Sequence, residues 1–136
     1  MTEQNKQVAR RFNEAFNAGD VEAMAGIVAA DFVDHPSGPG QDSGREELFE
    51  AMRMYHAAFP DLRSTVENLV AEGDRVALHG VASGTNTGEL MGMPATGKKA
   101  TFSYIDIYRI ADGRIAEIWH VEDVVGMLRQ LGAMPG

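Results

Sequence analysis

The sequence predicts an α+β fold, with helices segregated onto one face of a mostly antiparallel sheet. Three observations lead there. Residues 2–59 carry apolar side chains at helical spacing, residues from 62 onward follow strand-like segments, and no strand–helix–strand alternation occurs. A single domain, 1–136, is expected, because 136 residues can build one core and no repeat or linker divides them.

The first helix is marked by Val8, Phe12 and Phe16, with Ala9 and Ala15 on the same stripe. "AGD", residues 18–20, breaks it, and Asp20 is placed to cap a short second helix through Val21, Met24, Ile27 and Val28. "DFVDH" is a short extended piece. "PSGPGQDSG" is a loop, since its prolines and glycines cannot hold a helix. Ser43 and Glu46 fit a capping box for a third helix, with Leu48, Phe49, Met52, Tyr55 and Phe59 on one side and Pro60 beyond its end. The strands follow: "RSTVENLVAE", a turn at Gly73-Asp74, and "RVALHGVASGTN". After a glycine-rich loop come "ATFSYIDIYRI", a turn at "ADG" and "RIAEIWHVED". The segment "VVGMLRQLG" is a last short helix.

Composition narrows the function. Hydrophobic residues make up 44% and charged residues 24%, as in ordinary globular proteins. Without cysteine there can be no disulfide, thiolate zinc site or cysteine nucleophile. A net charge of -8 argues against nucleic acid as a partner. The polar start "MTEQNKQVARR" has no apolar signal core, and no run approaches the ~18 apolar residues of a membrane span. A cytoplasmic location, with no membrane partner, is the expectation. "GMPATGKK" nearly spells a phosphate-binding loop. It ends on Lys99 where Ser or Thr belongs, and it leads into a strand instead of a helix.

The chemistry concentrates on the last two strands. Phe102, Tyr104, Asp106 and Tyr108 share one face of the first, and Ile118, His120 and Glu122 share one face of the second. A three-residue loop at 111–113 would put Asp106 and His120 on the same face, one diagonal step apart. A two-residue turn at Asp112-Gly113 would instead place Asp106 beside Trp119. Both registers remain open at this level. An imidazole and a carboxylate among aromatics suit a small-molecule pocket with acid–base chemistry. A mutually satisfied pair that only stabilises the sheet fits equally well. Phe102, Ile118 and Trp119 complete the candidate lining, with His35 at the mouth of the loop. Asn86 could hydrogen-bond a carbonyl or simply form a turn. Met91 could cover the pocket or merely pack. His56 reads as a surface residue and His79 as a packed one. A metal site from His35, His79 and His120 lacks close ligand spacing, so no metal is expected.

These residues carry a resemblance. "FPDLR", "GMPATGK" and "IYRIADGRIAEIW", within a pattern covering almost the whole chain, resemble the SnoaL-like polyketide cyclase family of the NTF2-like superfamily. The resemblance implies an NTF2-like (cystatin-like) cone, with three N-terminal helices on a curved sheet enclosing a pocket. It implies a homodimer or homotetramer through the sheet, a small hydrophobic or aromatic substrate, and no metal or organic cofactor. The implied reaction is the intramolecular aldol closure of a polyketide methyl ester. The family's acid–base aspartate directly follows the tryptophan of the last strand, where this chain has His120. A histidine on the preceding strand is matched here by Asp106. The two residue types are exchanged between strands, which favours the three-residue turn. His120 and Asp106 are thus the catalytic candidates, with Tyr104 and Tyr108 orienting the substrate. Asp34 and His35 fall near a polar pocket position, and Asp123 near a family feature or a helix cap. The superfamily's variety keeps two alternatives: a small-molecule binder without chemistry, and an epoxide hydrolase or isomerase.

Overall fold

A computed structural model describes residues 2–35 and 42–133. In order these form α1 (Thr2–Ala18), α2 (Val21–Ile27), β1 (Val28–His35), α3 (Arg45–Ala58), β2 (Arg63–Glu72), β3 (Arg75–Thr85), β4 (Lys99–Ala111), β5 (Arg114–Glu122) and α4 (Val124–Gln130). The strands make one open sheet in the order β1-β5-β4-β3-β2. Every pairing is antiparallel except β1 with β5, which is parallel. Among the described residues, no helix is long and apolar enough to cross a membrane.

The helical half matches the stripe in the sequence, with three local corrections. Val8, Ala9, Phe12 and Ala15 are the buried side of α1, and Asp20 caps α2 by accepting from the Ala23 N–H at 3.0 Å. The second helix stops after Ile27, because Val28 turns extended and opens β1, so the strand is longer than "DFVDH". The third helix is capped at Gly44, not by Ser43 and Glu46. Ser43 is held extended by backbone hydrogen bonds to Asp34, and the Glu47 carboxylate accepts from the Gly44 N–H at 2.9 Å. The third correction concerns His56, which is not a surface residue: its ring N–H donates to the Phe16 carbonyl and ties α3 to the end of α1. Residues 36–41 of the proline–glycine loop lie outside the described part.

The β4–β5 hairpin settles the open register by a route the sequence did not suggest. Ala111 pairs with Arg114 across a two-residue turn, and Asp112 and Gly113 have φ of 52° and 74°. These are the positive values of a type I′ turn, whose twist suits a hairpin. The three-residue loop is therefore wrong. Continued regularly, this turn would set Asp106 beside Trp119. The register shifts between Ile110, paired with Ile115, and Arg109, paired with Glu117, so Ala116 is an extra, bulged residue. Beyond it Asp106 lies directly opposite His120, closer than the diagonal placement.

Period-two alternation then sorts the side chains. Val76, Leu78, Tyr108, Ile110, Ile115 and Ile118 point inward and pack against Val8, Phe12, Met24, Leu48, Phe49 and Met52 of the helices. A second cluster joins Ala82, Leu90, Ala100 and Phe102 to Phe59, Leu62, Met127 and Leu131. It seats α4 beside β4, and Asp123 caps that helix by accepting from the Gly126 N–H at 2.9 Å.

Candidate active site

A cavity of about 310 Å³ lies between the first and third helices and the inward face of the sheet. Its wall is mostly apolar: Phe12 and Phe16 from α1, Leu48, Met54 and Tyr55 from α3, and Leu62 and Ile118. That volume is at the small end of ligand sites, and such a lining suits a small hydrophobic molecule.

Three carboxyl groups and one imidazole enter this wall together: Asp34 from β1, Asp106 from β4, and Glu122 and His120 from β5. His120 lies between two carboxylates. Its Nε2 meets Asp34 Oδ1 at 2.7 Å, and its Nδ1 is hydrogen-bonded to Glu122 Oε1. Those bonds, Asp34's first, push the imidazole up to about 10, although burial works against the charge. At neutral pH His120 is therefore an imidazolium that donates from both nitrogens. Asp106 is only 6% exposed. Burial pushes its carboxyl up to about 7, while the Tyr108 hydroxyl, donating to Oδ2 at 2.7 Å, and the nearby His120 charge hold it down. Tyr108 itself is raised well above its ordinary value by burial and by that carboxylate. A buried carboxyl that titrates near neutrality, beside a fixed cation, can take up and return a proton.

Of the residues singled out from the sequence, Tyr104, Asp106, Tyr108, Ile118 and His120 all line the cavity. Five others do not. Trp119 alternates with His120 and so points to the opposite face. There it stacks on His35, with ring centroids 4.9 Å apart, under the Arg75 guanidinium. His35 follows Asp34 on β1 and so points to the opposite, outer face, where it bonds Glu117 at 2.7 Å. Phe102 is buried in the second core cluster. Asn86 is a turn-former: its side chain donates to Gly88 O and accepts from Thr96, closing the glycine-rich loop. Met91 sits exposed in that loop at φ 50°. His79 faces outward and bonds Asn68 at 2.9 Å, so the three histidines do not converge. Among the described residues no group of His, Asp or Glu is arranged to hold a metal ion.

The sequence reasoning missed Glu122 and Asp34 as partners of His120. Glu122 was within reach, being two residues on along the same strand face. Asp34 was not, since its contact depends on a parallel pairing across 86 positions. Also missed were Asn13 and Ser64, which line the cavity without any local motif.

Comparison with known proteins agrees with this fold. The chain is 29% identical over 133 residues to aklanonic acid methyl ester cyclase DnrD of Streptomyces peucetius, covering 92% of this chain and 88% of that protein. It is 28% identical over 120 residues to nogalonic acid methyl ester cyclase of Streptomyces nogalater, covering 87% and 90%. Among solved structures, IdmH of Streptomyces antibioticus, a candidate polyketide cyclase, superposes with a TM-score of 0.87 at 38% identity, covering 95% of this chain and 99% of that one. AclR of Streptomyces galilaeus, a candidate hydroxylase, superposes with a TM-score of 0.91 at 27% identity, covering 100% and 85%. The family model for SnoaL-like polyketide cyclases matches residues 6–131, and the protein belongs to that family of cyclase-like enzymes.

Proposed function

We propose that the protein closes a ring in a hydrophobic poly-β-keto ester by intramolecular aldol condensation, using its own side chains and no metal or organic cofactor. The observation that carries this is the direct opposition of Asp106 and His120 on adjacent strands, both lining one apolar cavity. The methylene between two carbonyls is already acidic, so folding the substrate and moving one proton is sufficient. Ionised Asp106 takes a proton from that carbon. Tyr108 occupies Oδ2, so Oδ1 is the oxygen left for this transfer. The enolate develops beside the His120 imidazolium, which Asp34 and Glu122 hold charged and in place. The enolate carbon then bonds to the ketone carbon, and the new alkoxide recovers the proton from Asp106. No proton or electron is gained or lost overall. The cyclase names of DnrD and the Streptomyces nogalater relative support the reaction class.

We also propose that a second copy of the chain covers the outer sheet face, where Ile105, Ile107 and Val121 are exposed beside Trp119.

Incubation with nogalonic acid methyl ester in oxygen-labelled water tests the chemistry. Ring closure should give a product of unchanged mass with no label. Label in the product would replace aldol closure with hydrolysis, as an epoxide hydrolase would perform. Saturable binding without any product would leave a binding protein.

A further inference from the structure

The cavity holds a second polar group that this chemistry does not use. The Tyr104 hydroxyl donates to Asn13 Oδ1 at 3.1 Å and is hydrogen-bonded to Ser64 Oγ. All three side chains line the cavity. Ser64 is on β2, three strands away from His120 on β5. That is about 14 Å along a sheet with strands roughly 4.8 Å apart. Tyr104 reaches across because its neighbour on β3 is Gly80. A Cβ on Gly80 would lie 2.4 Å from the Tyr104 hydroxyl oxygen, so any larger residue would lift the ring off the sheet.

The direction of donation in this group can be worked out. The Asn13 amide is oriented by its Nδ2, which donates to the Ser64 carbonyl at 3.3 Å. Its Oδ1 therefore faces Tyr104 and can only accept, so the single tyrosine proton goes to Asn13. The Ser64 proton then goes to the tyrosine oxygen. Both hydroxyl protons are spent within the group. What remains are lone pairs on Ser64 Oγ and Tyr104 Oη, which can accept from a donor.

We propose that Ser64, Tyr104 and Asn13 form a hydroxyl-accepting subsite that anchors a phenolic or enolic O–H at the end of the substrate remote from the reacting carbonyls. This rests on the cavity being the substrate site. A ketone or ester oxygen in the same place would meet no free hydroxyl proton. The His120 end, by contrast, is where the proposed reaction places the β-dicarbonyl, against Asp106. The two ends together select a molecule with a phenol at one end and a β-dicarbonyl at the other, and fix which way round it enters. Gly80 is a positioning residue for this subsite.

The probes are 2-hydroxyanthraquinone and 2-methoxyanthraquinone, titrated into the intact protein at a pH that keeps the phenol protonated. The hydroxyl compound should bind about tenfold more tightly, as one well-made hydrogen bond allows. Tyr104→Phe and Ser64→Ala should each reduce that ratio below about threefold, and Gly80→Ala should do the same with Tyr104 still present. Circular dichroism checks that each variant is folded, and Tyr104→Phe keeps the ring that packs there. Equal binding of the two quinones, binding of neither, or a ratio unmoved in both Tyr104→Phe and Ser64→Ala would overturn the subsite. Turnover separates this inference from the reaction it rests on. Ring closure without hydroxyl preference removes the subsite alone, and hydroxyl preference without ring closure removes the reaction alone.

Discussion

Two histidines on one sheet make the same kind of contact on opposite faces. His120 lies inside, between Asp34 and Glu122, and His35 lies outside, between Glu117 and Asp42, at 2.7 and 3.2 Å. Carboxylate partners raise both imidazoles, His35 through Glu117 first. The difference is the setting. His120 shares an apolar cavity with a third, buried carboxyl, Asp106. His35 stacks on Trp119 on the outer face and is not among the residues that line this cavity. An imidazole held by two carboxylates is therefore no mark of catalysis by itself. The neutral-range carboxyl and the space for a substrate are what set the inner one apart.

The sharpest way to break this comparison is mutation at both ends. His120→Ala and Asp106→Asn should each lower kcat/KM for ring closure at least ~100-fold, whereas His35→Ala should stay within about threefold. Equal losses at the inner and outer histidines would erase the distinction. Acidity comes next. If ionised Asp106 is the base, activity rises with pH through about 7, and it falls as His120 loses its proton near about 10. Asp106→Asn should abolish the lower limb, and a limb that persists in that variant belongs to another group. Imidazole resonances followed by NMR should show His35 titrating before His120. On the outer face, Val121→Lys should shift the sedimentation profile toward the monomer with little loss of fold, because it sets a charge among exposed Ile105 and Ile107. An unmoved profile would take that face out of the assembly. The smallest effect is expected where neither histidine is involved. Asp123→Ala, which removes the cap of α4, should cost about 1 kcal/mol in urea unfolding.

How much of this the sequence revealed depends on distance along the chain. The α1 stripe, the Asp20 cap and the period-two faces of β4 and β5 are local patterns, and they could be read directly. So could the shared face of Asp106, Tyr108 and His120, although the turn inferred for it was wrong. The bulge at Ala116 restored that face, and nothing in "GRIAEIW" marks where a strand will take up an extra residue. Trp119 was a different error. It alternates with His120 along β5, so it could not share that side chain's face or line the cavity. Asp34 was hidden because a parallel partner is chosen by the whole fold, not by its neighbours. The Tyr104 reach over Gly80 was hidden for the same reason, since it needs three strands in register at once.

The placement of β1 has a consequence for how the molecule is made. Its sole strand neighbour among the described residues is β5, the last strand of the sheet to be synthesised. A nascent chain leaving the ribosome therefore carries an unsatisfied edge through most of its translation. Asp34 acquires its partner His120 only once β5 has emerged, so a chain arrested before that point lacks the pair that ties the first strand of the sheet to the last.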